Sequence, residues 1–248
     1  MVSQTLTWRL HAASRDYRLA VENAAHIIDC ALTKGPFIIS WSGGKDSTAV
    51  CHIVKSIGAN TPIVVQFDDC DWPEKKPYIQ AVCKAQGWII HEVYPSFSVW
   101  EFASKYKIGF DALTDANHSL TRESFLVPLE QERQRLKCIG SFLGLRSEES
   151  RARKLNHAMR GPLYQLKNGT WHCSPLSNWR TETVFAYLVD HGIAVNPCYL
   201  KNAIRRPEEI RLSWAMPTPN SLTYGDMEHI RIYYPQQFRR LRDIAVPY

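Results

Sequence analysis

Six consecutive residues, Ser42-Gly43-Gly44-Lys45-Asp46-Ser47, have types and spacing suited to holding phosphate. Two adjacent glycines let the backbone turn tightly and bring several N–H groups up to an anion with no Cβ in the way. A helix starting at this point adds the partial positive charge of its unpaired amides. Lys45 then supplies a point charge for the outer phosphates, Ser42 and Ser47 donate hydroxyl hydrogen bonds, and Asp46 is placed to hold a magnesium ion through water. The turn is not a Walker A loop, which needs glycine at the position of Ile39 and Ser or Thr directly after the lysine, where Asp46 stands. A different phosphate pocket is implied.

A second anion site is expected around Arg146, Arg151 and Arg153. Arg146 precedes a helix start, so its guanidinium is positioned to clamp a phosphate or sulfate through two parallel N–H bonds, with Glu149 orienting the arginines. The plainer alternative is a solvated helix face on which Glu148, Glu149, Arg151 and Arg153 pair locally. Asp68 closes an apolar run and is a further candidate for nucleotide contact, whereas Asp69 and Asp71 read equally well as caps of the next turn.

The elements around these residues alternate between strand and helix. Residues 15–32 repeat apolar positions at helical spacing up to Gly35-Pro36. Phe37-Ile38-Ile39 is a short buried strand, 46–57 a helix, 62–67 a strand, 77–86 a helix, and Trp88-Ile89-Ile90 opens a third strand. Residues 97–135 read as a helical insertion or a segment covering a site. Ser141–Leu145 is another strand, with Ser147 expected to cap a helix whose first turn holds Glu148 and Glu149. Thr181 is expected to cap a further helix that stops at Gly192. The pattern implies an α/β fold: a parallel twisted sheet flanked by helices with right-handed crossovers, over residues 1–200, followed by an arginine- and aromatic-rich extension over 201–248.

Composition narrows the class. The 248 residues are 45% hydrophobic and 22% charged, a globular balance with neither a signal peptide pattern nor a membrane-spanning run, so a cytoplasmic protein without a membrane partner is expected. Seven scattered cysteines argue for free thiols, and none has the close spacing of an iron–sulfur site. Cys138 and Cys173 read as structural before reactive. The nine histidines show no zinc-type pairing, so no metal ligand is assigned. Net charge is +6, and Arg205, Arg206, Arg211, Arg231, Arg239, Arg240 and Arg242 interleave with Trp214, Tyr224, Tyr233, Tyr234 and Phe238. That mixture fits an arginine-rich surface over a small aromatic core, or contact with a nucleic acid.

The string Ser42–Ser47 resembles the PP-loop of the adenine nucleotide alpha hydrolases, the ATP pyrophosphatases. Residues Gly144–Arg153, Ser174–Trp179 and Asn196-Pro197-Cys198-Tyr199 resemble the phosphoadenosine phosphosulfate reductase branch of that superfamily, and the resemblance covers about residues 36 to 200. It implies a Rossmann-like fold and an enzyme that binds ATP, or a nucleotide like phosphoadenosine phosphosulfate (PAPS), through Ser42, Gly43, Gly44, Lys45, Asp46, Ser47, Asp68, Arg146 and Arg151. With magnesium it would cleave the α–β phosphate bond, Lys45, Asp46 and Arg146 acting in catalysis, and pass the activated group to an acceptor, nucleic acid or protein. The reductase branch carries a C-terminal Glu-Cys-Gly-Leu-His segment that this sequence lacks, so thiol-dependent sulfonucleotide reduction is the second reading. A non-catalytic nucleotide- or nucleic-acid-binding subunit of a modification or defence system, in an oligomer, is the third.

Overall fold

Phe37–Ser40 forms the strand on which the sheet is organised. Four residues between Gly35-Pro36 and the glycine turn are too few for a helix, and Phe37, Ile38 and Ile39 are buried on both faces, as a central parallel strand requires. The computed structural model describes residues 2–58, 60–98, 100–101, 122, 126–202, 210 and 226–244.

Within them the strands are β1 (Phe37–Ser40), β2 (Ile63–Gln66), β3 (Ile90–Val93), β4 (Gly140–Phe142), β5 (Leu163–Gln165) and β6 (Trp171–Cys173). The helices are α1 (Val2–Ala12), α2 (Arg15–Leu32), α3 (Lys45–Ser56), α4 (Lys75–Gln86), α5 (Val127–Arg135), α6 (Arg151–Arg160), α7 (Thr181–Asp190), α8 (Asp226–Tyr233) and α9 (Pro235–Ile244). One six-stranded sheet results, in the order β3-β2-β1-β4-β6-β5. β1 pairs in parallel with β2 (Ile39 opposite Ile63) and with β4 (Ile39 opposite Phe142), and β4 pairs in parallel with β6. The β5–β6 hairpin is antiparallel and forms one edge of the sheet. Strand order reverses between β1 and β4, which makes their carboxyl ends the topological switch point where open α/β sheets bind ligands.

The chain divides into two compact units, each built from three segments: the first comprises residues 1–65, 80–91 and 131–195, and the second residues 66–79, 92–130 and 196–248. The sequence suggested one cut after residue 200. In the first unit, α2 starts at Ser14, whose hydroxyl accepts from the Tyr17 amide, and buries Ala24, Ile27, Ile28 and Ala31. No helix among the described residues is long and apolar enough to cross a membrane.

Four local expectations change. Helix α1 was not anticipated; it docks on α7 through Trp8, stacked on Phe185 at 4.6 Å, and through His11 on the Thr183 hydroxyl at 3.0 Å. The β5–β6 hairpin was also missed. Ser147 does not cap α6: residues Ser147–Glu149 form a separate 3₁₀ turn, the Ser147 hydroxyl bonds His157, and Ser150 takes the cap by accepting from the Arg153 amide. Thr181 is the first residue of α7, not its cap, and its amide is received by the distant carboxylate of Glu148 at 2.8 Å. Of the 97–135 segment, Val127–Arg135 is helical and most of the rest lies outside the described residues. So do Arg205, Arg206, Arg211, Trp214 and Tyr224 of the C-terminal region.

Candidate functional site

The glycine turn leaves β1 and enters α3 directly. Gly43 adopts φ 77°, the left-handed region that a side chain disfavours, and Gly44 is the N-cap of α3 without contributing any side-chain cap. Gly44 itself brings no side chain to this end, its amide donates to Ser42 Oγ at 3.4 Å, and the N-terminus of α3 faces the turn, the arrangement that receives phosphate. Two serines hold the turn closed: Ser42 and Ser47 hydroxyls lie 3.0 Å apart, the Ser42 amide donates to Ser47 Oγ at 3.2 Å, and Ser47 Oγ donates to the Gly44 carbonyl at 3.1 Å. One turn further, Thr48 accepts from the Trp41 indole at 2.9 Å, fixing strand end to helix.

The loop after β4 meets this turn across the switch point. Gly144 packs so tightly on α3 that a Cβ there would stand 2.6 Å from the Ser47 backbone nitrogen. Two residues on, Arg146 is only 2% exposed. Its Nε donates to Asp46 Oδ1 at 2.6 Å, Nη1 to Glu148 Oε2 at 2.6 Å and to the Trp179 carbonyl at 3.2 Å, and Nη2 to Thr181 Oγ1 at 3.0 Å. Burial opposes its charge, but Asp46, Glu148 and Glu149 reverse that, and the guanidinium is held protonated more firmly than an ordinary arginine. The Glu148 side chain is 45% exposed, and although its partial burial works against its charge, Arg146 and Thr181 pull its pKa below the usual carboxylate value.

The expected anion clamp spends its donors on protein acceptors, tying the PP-loop helix, the turn after β4 and the start of α7 into one network. Asp46 is taken on both oxygens, by Arg146 and by Lys45 Nζ at 2.9 Å on Oδ2. Two cations on one carboxylate leave a poor seat for a third, so Asp46 does not fit the magnesium role expected of it. Ser42, Gly43, Gly44, Lys45, Asp46, Ser47 and Arg146 are thus brought together. Arg151 is not: it lies exposed on the first turn of α6. Glu149 accepts from the Arg146 amide at 2.9 Å and pairs with Arg153, which matches its expected orienting part. Sequence reasoning missed Gly144, Glu148 and Thr181 as members, although the Gly144–Glu149 string contains the first two.

Asp68 belongs to the second unit. Its Oδ1 accepts from the Cys70 amide at 2.8 Å and its own amide donates to Asp71 at 3.0 Å, while Lys75 ties Asp71 to the Gln66 carbonyl. It organises its own turn, and burial together with the Asp71 carboxylate raises its pKa to about 6. Burial also pushes up the thiols of Cys51, Cys70, Cys138 and Cys173.

The family model described as the phosphoadenosine phosphosulfate reductase domain matches residues 36–241. The chain belongs to that family. Curated relatives include phosphoadenosine 5'-phosphosulfate reductases of Salmonella heidelberg, 23% identical over 170 residues, and Citrobacter koseri, 22% identical over 173. In each case the match spans 66% of this chain and 66% of the relative. Among solved structures, PAPS reductase from Candida auris, a phosphate complex, aligns with TM-score 0.52 and 17% identity over 74% of this chain and 90% of that one. Candida glabrata FMN adenylyltransferase in complex with FMN and an ATP analogue aligns with TM-score 0.56 and 14% identity over 79% and 67%. NMN synthetase from Francisella tularensis aligns at 0.51 and 13% over 91% and 95%. At these identities the structures establish the shared fold of the PAPS reductase domain family, mostly parallel and Rossmann-like.

Proposed function

We propose that this chain binds ATP or a related adenine nucleotide at the Ser42–Ser47 turn, opens its α–β phosphate bond and transfers the activated group to an acceptor. The observation that carries the reading is the N-terminus of α3, with glycine at its N-cap, beside a buried lysine at the sheet's switch point. Incoming phosphate takes the first-turn amides and draws Lys45 from Asp46 to a position where the ammonium stabilises charge developing on the departing pyrophosphate. Arg146 holds Asp46 in place through that exchange and acts as a positioning residue. No step is assigned to magnesium.

Reduction by Cys51, Cys70, Cys138 or Cys173 is not favoured, because burial raises the pKa of each of those thiols. The Salmonella and Citrobacter relatives act on PAPS by their names, so both nucleotides belong in the test. Pyrophosphate release from ATP is measured with nucleic acid and protein acceptors, beside thermal shifts with ATP and PAPS. Release lost in Lys45→Ala supports the proposal. ATP that neither stabilises the fold nor yields pyrophosphate in wild type overturns it.

A further inference from the structure

Helix α6 is built inside out. His157 is buried and bonds Ser147 Oγ at 3.0 Å, Asn156 donates to the Tyr164 hydroxyl at 3.1 Å, and Arg153 pairs with Glu149, so polar side chains make the inward contacts. The opposite side presents Leu155 and Met159, one turn apart and 54% and 83% exposed, beside exposed Ala152 and Ala158. An ordinary surface helix does the reverse, as α2 does when it buries Ile27 and Ile28. Apolar residues at i and i+4 on the outer face of a well-formed helix are the pattern of a surface that a partner covers.

The charges around that stripe choose the partner. The helix carries Arg151, Arg153, Lys154 and Arg160 and no acidic residue. Arg153 is spent on Glu149 and Arg160 lies over the Tyr164 ring, which leaves exposed Arg151 and Lys154 beside Leu155. A second copy would set cation against cation and is disfavoured. A nucleic acid backbone would find charge at the rim, but at the centre it would meet Leu155 and Met159, which offer neither hydrogen bonds nor an aromatic face for stacking. A protein segment with apolar anchors and an acidic rim satisfies both parts. We propose that the outer face of α6 docks an acidic amphipathic segment of a partner protein. The proposal stands independently of the nucleotide chemistry, because none of these outward residues belongs to the PP-loop network.

The probe is a fluorescein-labelled helical peptide of about twenty residues with leucines at i, i+4 and i+7 and glutamates elsewhere, compared with its lysine counterpart by anisotropy on the full chain. Binding of the acidic peptide is expected to weaken with salt and to fall at least about tenfold in Leu155→Ser/Met159→Ser and in Arg151→Glu/Lys154→Glu. Both variants alter exposed side chains, and their unchanged melting temperatures verify the fold. Equal affinity for the two peptides, or indifference to both variants, overturns the proposal. An oligothymidine that binds more tightly than the peptide and is lost only in the charge-reversal variant assigns the face to nucleic acid instead. A dimer in light scattering that Leu155→Ser/Met159→Ser dissolves assigns it to a second copy.

Discussion

Replacing Arg146 with alanine removes a buried guanidinium from four acceptors at once: Asp46 Oδ1, Glu148 Oε2, the Trp179 carbonyl and Thr181 Oγ1. Asp46 keeps Lys45, and Glu148 keeps the amide and hydroxyl of Thr181, so neither carboxylate is abandoned outright. Removing one partner of a buried ion pair costs about 3–5 kcal/mol, and the lost carbonyl and hydroxyl bonds add about 1 kcal/mol each at most, with overlap among them. For a chain of this size each kcal/mol lowers Tm by roughly 2–4 °C, so a fall of roughly 6–20 °C is expected. The assay is thermal and denaturant unfolding of ligand-free protein, followed by circular dichroism, for wild type, Arg146→Ala, Asp46→Asn and the double variant. Coupling predicts that the double variant loses less than the sum of the singles, by about 1–3 kcal/mol. Arg146→Lys restores only part, because a single ammonium cannot span the four acceptors. The reasoning is refuted if Arg146→Ala melts within about 2 °C of wild type while nucleotide affinity collapses, since that is the behaviour of an anion clamp.

The remaining predictions concern the two loops, the second unit and the docking of α1. Gly144→Ala forces a Cβ against the Ser47 amide and should cost about 1–3 kcal/mol while weakening nucleotide binding, read by unfolding and calorimetry on one preparation. Gly43→Ala must hold a side chain at φ 77°, for about 1–2 kcal/mol of strain, with a shorter nucleotide residence time in stopped-flow fluorescence. Asp68 has its pKa raised to about 6, so its ionisation in the folded state works against stability above that pH, and the penalty fades as pH falls from 6 towards the unfolded carboxylate value. Asp68→Asn is therefore expected to stabilise by about 1–2 kcal/mol at pH 7, after discounting for partial exposure, and to be neutral near pH 4. A gain that grows towards acid pH would contradict the sign. Trp8→Ala should release α1 from Phe185, seen as faster amide exchange in residues 2–12 with the nucleotide site intact.

The strand-turn-helix around Ser42–Ser47 was legible because a buried apolar run, two glycines and a helical repeat follow one another with nothing to compete. The same local logic found β2, α4 and β4 to within a few residues. It failed where the deciding partner is distant in sequence. Thr181 looked like a cap because threonine commonly is one, but Glu148, 33 positions earlier, takes that amide. Ser147 lost the cap of α6 to Ser150 because its hydroxyl had His157 to bond. Arg146 was legible as a cation beside the phosphate turn, but its partners Asp46, 100 positions earlier, and Thr181, 35 positions later, were not. The short β5 and β6 strands had no periodicity long enough to register, and α1, with few buried apolar side chains of its own, depends on α7 for its place.

Glu148 closes a line of hydrogen bonds that starts at the nucleotide turn: Lys45 to Asp46, Asp46 to Arg146, Arg146 to Glu148, Glu148 to the amide of Thr181. Drawing Lys45 away alters the charge at the first link, and the last link includes an exchangeable amide proton at the head of α7. If phosphate takes Lys45 as proposed, that proton is expected to register the change. Its exchange rate, followed by nuclear magnetic resonance while nucleotide is added, is expected to shift at the head of a helix that lies outside the Ser42–Ser47 turn.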